Sequence, residues 1–350
     1  MFVPDLVVRS RRVVTPRGTQ PAAIHIRSGK IIGVVGYDDV PAGCPVDEAG
    51  DAAVLPGLVD TFAHLSGGVS RATQAAAAGG ITTVLAVPVD GIVAPESSSV
   101  DIGYWGLASA DRVSELRATA ETGVFGFICG HARETDLRLV MSAVRRLEST
   151  LVVASEIGAG LASEDASELA IRICGELRTR THLHELSSTN ALASLYRART
   201  AGFPITAGTS PRRLTLVSDM HEREERELLW AALAGGVLQA IASDRTPPQL
   251  SMSAIWTEAH ARGYTLDQLA QWMCQMPARL ARLDRKAAIE VGYDADLVVF
   301  DPDAKVKTAV TPYLGHTLRG RVERTYLRGA RIYDGAKFLS PCGKLLLRRL

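Results

Sequence analysis

Ala75-Ala-Ala-Ala-Gly-Gly-Ile-Thr-Thr-Val-Leu-Ala-Val87 joins the end of a helix to a buried strand. The alanine run extends back to Arg71 and stops at Gly79-Gly80, residues that release a helix into a turn. The segment that follows, Ile81 to Val87, is a short apolar run rich in β-branched residues with no polar alternation. A strand covered on both faces reads this way, as in a parallel sheet flanked by helices.

The same unit recurs outward from this point. Strand-like runs lie at Val54 to Val59, Ile102 to Gly106, Val124 to Cys129, Leu151 to Ser155, Thr181 to Leu186, Ile205 to Thr209 and Ala240 to Asp244. Helical patterns fall between them, at Asn190 to Thr200 before Gly202 and at Glu222 to Ala234 before Gly235-Gly236. Thr265 and Gln268 form a capping-box pattern ahead of another helix. Eight parallel runs with intervening helices suit a compact (β/α)8 barrel. An open doubly wound sheet would need a Gly-rich phosphate loop, which is missing.

The two ends have a different texture. Asp5 to Val8, Val13-Val14, Ala23 to Arg27 and Gly29 to Val35 are short β-rich runs broken by Pro16, Gly18 and Gly29. Ala295 to Phe300, Arg321 to Leu327 and Gly329 to Tyr333 match them at the far end. Each end holds half a sheet, so the two should pair into one small β domain. The expected division is 1–53 and 288–350 for the small domain, with 54–287 as the barrel.

Composition removes several functions. Lys and Arg number 39 against 38 Asp and Glu, so no field of one sign draws in nucleic acid or an anionic membrane. The five cysteines are scattered without a C-x-x-C pair, as expected of reduced thiols. Met1 to Arg12 alternates apolar with basic residues, and no run approaches a membrane span. A cytoplasmic protein is expected.

Val54-Leu-Pro-Gly-Leu-Val-Asp-Thr61, Ala75 to Thr83, Ile241-Ala-Ser-Asp244, Met276-Pro-Ala-Arg279, Val291-Gly-Tyr-Asp-Ala-Asp-Leu297 and Tyr313-Leu-Gly-His-Thr-Leu-Arg-Gly-Arg321 together resemble the cyclic amidohydrolases, with allantoinases, dihydropyrimidinases and dihydroorotases as the nearest kinds. The resemblance covers nearly the whole chain. It implies an α/β protein, a TIM barrel of amidohydrolase type beside a small β-sandwich. It also implies a dinuclear metal site at the C-terminal mouth, with an Asp after strand eight handling the proton.

Carried over residue by residue, that ligand set is incomplete. The H-x-H after strand one appears as Phe62-Ala-His64, and the bridging lysine of strand four falls at Ile128 in Gly126-Phe-Ile-Cys-Gly130. The strand-five histidine corresponds to Ala154 in Leu151-Val-Val-Ala-Ser-Glu156, and the strand-six histidine to Glu185 in His182-Leu-His-Glu-Leu-Ser-Ser188. Asp244 is kept, but Arg245 follows it where the family has histidine. The loops Leu65 to Val69 and Thr246 to Leu250 are short.

No metal or other cofactor is therefore expected, with one zinc at His64, Asp244 and Glu185 as the alternative. The mouth still gathers ionisable groups. Asp244, His64, Glu185 and Glu156 are the candidate catalytic residues, and Arg245, His184, Thr209 and Arg212 the candidate substrate contacts. Strand alternation sends His184 and Glu185 to opposite faces, so one of the two points inward. Arg212 and its neighbour Arg213 read equally well as a solvated loop, and His182 as ordinary packing. Cys129 should face the helices as an inert thiol.

The favoured function is a repurposed, metal-independent enzyme acting by acid/base chemistry on a small cyclic amide or ureide, or on a cyclisable relative of one, with the arginines near the mouth pointing to an anionic ligand. The alternatives are a pseudoenzyme that supports a partner enzyme and a mononuclear C–N hydrolase. A homo-oligomer is expected by family analogy.

Overall fold

The computed structural model describes residues 3–87, 97–130, 132–154, 163–186, 189–244 and 246–348. Four strands come first: β1 Leu6–Thr15, β2 Gly18–Arg27, β3 Lys30–Val35 and β4 Val46–Pro56. The barrel strands follow as β5 Leu58–Ala63, β6 Ile81–Ala86, β7 Asp101–Tyr104, β8 Gly106–Leu107, β9 Phe127–Cys129, β10 Thr150–Val153, β11 Arg180–Leu183, β12 Ile205–Thr209 and β13 Ala240–Ile241. The chain ends with β14 Leu297–Lys307, β15 Thr317–Leu327 and β16 Ala330–Tyr333.

The two ends do form one body, a seven-stranded sheet in the order β16-β15-β14-β4-β1-β2-β3. The join is the antiparallel β14/β4 ladder, which sets Leu297 against Pro56 and Phe300 against Ala53. Val8, Ile24, Ile31, Val54, Leu297, Val299 and Tyr326 make a core inside it, separate from that of the barrel. β4 continues through Pro56, so the small sheet takes the first part of the run Val54 to Val59. The first barrel strand begins only at Leu58, after Gly57. A side chain at Gly57 would collide with Thr82, whose Oγ1 lies 2.2 Å from the position of a Cβ there.

The barrel is laid out in two parallel arcs, β5-β6-β7 and β8-β9-β10-β11-β12-β13. The third barrel strand belongs to both arcs: β7 pairs with β6, β8 pairs with β9, and Trp105 sits between them. Its indole Nε1 donates to Thr61 O at 2.8 Å, pinning the switch to the first strand. At the other seam, between β13 and β5, a side chain supplies the bond. Asp60 accepts from Ser243 N at 3.1 Å and from Phe62 N at 3.2 Å, and its second oxygen accepts from Ser243 Oγ.

Alternation within the strands splits the apolar residues into two sets. Ile128 and Val152 point into the barrel with Phe62, Leu85, Trp105, Phe125, Ala154 and Ala242. Phe127, Cys129, Leu151 and Val153 point outward into the larger core beneath the helices. Helix α1, Val69–Ala78, starts directly after the short Leu65 to Val69 connection, as its sequence suggests. Thr265 caps its helix with the full reciprocal box to Gln268. None of the helices among the described residues is long and apolar enough to cross a membrane.

The floor of the barrel, at the N-terminal ends of its strands, is tied to the small sheet by ions. Lys286 Nζ lies 2.6 Å from Asp296 and 2.8 Å from Asp101, and Arg328 reaches Asp101 at 2.5 Å. The C-terminal tail runs beneath this floor, bonding Ile102 through Lys344 O at 2.9 Å and Leu346 N at 2.7 Å.

Candidate active site

Parallel barrels present their working residues where the strands end, and here that mouth is partly filled. Phe62, on the last turn of β5, is fully buried. Its ring stacks on His184 with centroids 3.4 Å apart and planes inclined by 13°. Ile128 and Ala154, also fully buried, belong to the same apolar cluster. Three of the positions that the resemblance gives to metal ligands are thus packed against one another as hydrocarbon.

A polar rim surrounds this plug. Asp244 is buried just after β13 in a left-handed conformation, φ 50°. His184 Nε2 stands 4.0 Å from Asp244 Oδ1 and has no hydrogen-bond partner among the described residues. Glu185 receives a hydrogen bond from Ser210 Oγ at 2.6 Å. Burial pushes its carboxyl above the ordinary range, aided by the Asp244 charge and opposed by Ser210, His184 and Arg213.

His184 meets Phe62 inside the barrel, as alternation allows for one of the pair: it lies two residues on from His182, and the parallel bonding continues past Leu183 through His184 N to Val153 O at 2.9 Å, while Glu185 bonds Ser210. His182, still inside the strand, behaves as packing. Its Nδ1 lies 2.9 Å from Thr206 Oγ1, and burial pushes its pKa down to about 3, so it stays neutral. Cys129 faces the helices as expected, its thiol pushed up to about 12 by burial.

The other expected residues fall in different places. His64 is exposed, edge-on to Phe62 at 5.3 Å between ring centroids. Thr209 is fully buried at the end of β12, its hydroxyl without a hydrogen bond among the described residues. Arg212 is exposed on a short helix, Pro211–Thr215, while Arg213 pairs with Glu225 at 2.7 Å. Glu156 and Arg245 lie outside the described residues.

A cavity of about 470 Å³ opens beside the rim, lined by His64, Asp244, Asp60, Ser243, Thr246 and Pro247 among others. That volume suits a small metabolite. Asp60 was not among the expected site residues, although it lies inside the quoted run Val54 to Thr61. A carboxylate within an otherwise apolar, doubly covered strand was the available signal.

The chain is thus an α/β-barrel protein with buried carboxylates and a histidine at the C-terminal ends of its strands, where such barrels place their working residues. Residues 53–332 match the amidohydrolase family, and the chain belongs to that family. An allantoinase of Streptomyces avermitilis is 34% identical, the match covering 98% of this chain and 99% of the relative. The aligned span of 439 positions exceeds the 350 residues here, so that relative carries segments this chain lacks. An allantoinase of Arabidopsis thaliana is 27% identical over 97% of this chain and 90% of its own length. Among solved structures, an L-hydantoinase of Arthrobacter aurescens superposes with a TM-score of 0.88 at 21% identity, covering 99% of this chain and 100% of that one. These likenesses support a cyclic amidohydrolase function and the cyclic branch of the family.

Family membership corrects one expectation. The amidohydrolases, allantoinases and hydantoinases included, are typically metal-dependent, so the expectation of no cofactor is overturned. The residues can still be tested for fit. Phe62, Ile128 and Ala154 offer no lone pair to a metal. Among the described residues no three His, Cys, Asp or Glu side chains come together as a ligand group, His64, Asp244 and Glu185 included. The described residues do not fit a two-metal set.

Proposed function

We propose that this chain is a cyclic amidohydrolase homologue in which an apolar plug has replaced the two-metal centre, while the adjoining pocket still takes a small cyclic amide or ureide, or an open-chain compound that closes into one. The observation that carries this is the stacking of Phe62 on His184 at 3.4 Å, within one apolar cluster with Ile128 and Ala154.

Asp244 is the acid/base group in this reading. It borders the cavity shared with His64, and its backbone is held in a conformation that an aspartate adopts only at some cost. Glu185, with its raised pKa, is suited to donate a proton or hydrogen bond to a carbonyl oxygen while Asp244 accepts a proton from a ring nitrogen. Proton transfer of this kind serves isomerisation and ring closure with loss of water; ring opening is the reverse, in which water adds at the carbonyl carbon and Asp244 returns the proton to the departing nitrogen. His184 sets the polar edge of the plug, and Thr209 can contribute a hydroxyl. Arg245 and Glu156 are proposed to complete the rim, and an anionic substituent on the ligand would suit Arg245.

The plug also supports a second reading, a pseudoenzyme that keeps the barrel to hold a partner enzyme or a second copy of itself. Filling ligand positions with hydrocarbon is what a fold does to avoid stranding buried charge. The two readings separate on ligand binding.

The test uses protein purified without chelator. Elemental analysis gives the metal content, and calorimetry with allantoin, hydantoin and dihydrouracil gives binding. Fewer than two metal equivalents, with binding of one ring compound lost in Asp244→Asn, is the expected result. Two retained equivalents together with allantoin hydrolysis abolished by a chelator would overturn the proposal. Binding of none of the ring compounds, with another enzyme co-purifying, would transfer the assignment to the scaffold.

A further inference from the structure

The floor of the barrel, on the side opposite Asp244, holds a cluster of arginines that form no ion pair among the described residues. Arg180 is the first residue of β11, Arg282 follows the helix Met276–Ala281 in a left-handed conformation at φ 54°, and Arg348 comes from the tail. A cavity of about 920 Å³ is lined by Arg180, Arg279 and Arg282 on one side and by Asp267 on another. Arg282 also lines an adjoining cavity of about 640 Å³ that contains Arg348.

Among the described residues, Arg180 and Arg348 donate to neutral groups only. Arg180 Nη2 donates to Arg279 O at 3.0 Å, and Arg348 Nη1 donates to Phe125 O at 3.3 Å and Ser149 Oγ at 3.4 Å. No carboxylate among the described residues forms an ion pair with Arg180, Arg282 or Arg348. Other arginines of the chain are treated differently: Arg138 has Glu134 and Glu176, Arg262 has Glu227 and Glu258, and Arg319 has Asp303. Burial lowers the pKa of Arg180, and the charges of Arg282 and Arg348 lower it further. Burial lowers that of Arg348 as well, with Arg282 adding to it.

Arg180 and Arg348 are half-buried and Arg282 is exposed beside them; keeping half-buried cations close to a third is costly, and fold stability alone gives no reason to gather them. A bound anion with several charge-assisted hydrogen bonds would turn that cost into binding energy. Across the larger cavity, Asp267 accepts from Thr19 Oγ1 at 3.0 Å through one oxygen, and its other oxygen is buried without a donor. An occupant with its own hydroxyl could fill that vacancy in the bonding. Asp284 and Glu290 also line this cavity, but both are exposed, where water and salt screen their charge.

We propose that the barrel floor is a second binding site, for a small hydroxyl-bearing phosphate ester, in which Arg180 and Arg282 grip the phosphate and Asp267 accepts from the hydroxyl. Arg348 strengthens the field from the adjoining cavity. The site is remote from the mouth and independent of what the mouth does.

The experiment is isothermal titration of the full chain at low ionic strength with inorganic phosphate, pyrophosphate, glycerol 3-phosphate and citrate. One equivalent of glycerol 3-phosphate should bind saturably and more tightly than inorganic phosphate. Loss of one charge-assisted contact should weaken it at least about 10-fold in Arg180→Gln and in Arg282→Asn, the latter keeping a residue that tolerates left-handed backbone. Asp267→Asn should remove the advantage of the ester over inorganic phosphate. Arg117→Gln, an exposed arginine outside the cluster, and Asp244→Asn at the mouth should leave binding unchanged. Without ligand, Arg282→Asn should melt at or above the parent temperature because a repulsion is relieved. Absence of saturable heat up to about 10 mM, which is weaker than ~3 kcal/mol of binding, would overturn the proposal. So would equal affinity in the arginine variants, or tighter binding of citrate than of either phosphate compound.

Discussion

Truncating Phe62 to alanine tests the plug directly. The side chain is fully buried and belongs to one cluster with Leu85, Trp105, Phe125, Ile128 and Val152. Phe→Ala in such a place costs about 3–5 kcal/mol. Two features push the value toward the top of that range. The His184 stack at 3.4 Å is lost, a contribution of about 0.5–1.5 kcal/mol. Trp105 is also anchored to Thr61 O at 2.8 Å and cannot swing in to fill the space. A chain of 350 residues unfolds with an entropy of roughly 0.7 kcal/mol per kelvin. The melting temperature should therefore fall by about 6 °C for a cost near 4–5 kcal/mol, measured by calorimetry or circular dichroism. Phe62→Leu, which keeps most of the volume, should cost roughly 1 kcal/mol. Phe62→His restores the residue type that the resemblance expects. If the mouth were still built for a second metal, zinc would raise the melting point of this variant well above any effect on the parent. A Phe62→Ala protein that melts within about 1 °C of the parent, or a zinc-stabilised Phe62→His, would refute the plug.

Further outcomes follow from other residues. Asp60→Ala strands two backbone N–H groups and the Ser243 hydroxyl at the barrel seam and should cost about 3–6 kcal/mol, from roughly 1–3 kcal/mol per orphaned buried group with partial rescue by water, read from urea denaturation. Glu185 has a folded pKa above its unfolded one, so its contribution favours the fold below the ordinary glutamate pKa and is lost as pH rises through the folded value. Glu185→Gln should accordingly raise the denaturation midpoint at pH 7, and the gain should vanish toward pH 4; a gain that grew on acidification would contradict the sign. Among the five thiols, Cys129 and Cys274 are buried and pushed up by burial, whereas Cys342 is partly exposed, so a maleimide at pH 7 should label Cys342 first and leave the other two unmodified until the protein unfolds, as peptide mapping would show.

Most of the barrel was legible because its signal is local. Runs such as Ile81 to Val87 and Ile205 to Thr209 hold no charged residue and begin within three residues of a glycine, and each became a strand within a residue or two of those limits. What could not be read was where one element hands over to another. The run Val54 to Val59 is uniformly apolar, yet the Pro56-Gly57 pair divides it between two sheets. The division is decided by the pairing of β4 with β14, almost the whole chain away. The break of the third strand at Trp105 is likewise set by which neighbour each half finds. At the mouth, the apolar character of Phe62, Ile128 and Ala154 was readable residue by residue, but the Phe62–His184 stack was not, because it joins two strands far apart in sequence. The arginines of the floor are far apart in sequence and each looks like an ordinary surface residue until the fold brings them together.

Plug and rim are better understood as one arrangement than as two. A barrel lumen must be filled, and hydrocarbon is the cheapest filling where nothing charged needs to be held. If loss of ligands had simply been tolerated, the neighbouring polar groups would be expected to drift toward apolar residues as well, since each buried one carries a penalty when unsatisfied. Yet His184 lies on Phe62, Asp244 lies 4.0 Å from His184, Glu185 and Thr209 sit at the ends of neighbouring strands, and two of the four, His184 and Thr209, have buried polar atoms without partners among the described residues. Asp60 meanwhile spends a buried carboxylate on locking Ser243, the residue before Asp244, to the first strand. A scaffold has no need to fix the backbone at Asp244 so firmly; a site that must present one carboxylate in one direction does. Asp60→Asn separates these cases, because it preserves the acceptor toward Ser243 N while losing the charge. If it lowers ring-compound binding or turnover while changing the unfolding free energy by only about 1 kcal/mol, within the range of a single hydrogen bond, the seam serves the site. A loss of stability with ligand binding intact would make the seam structural and leave the rim without a function to explain it.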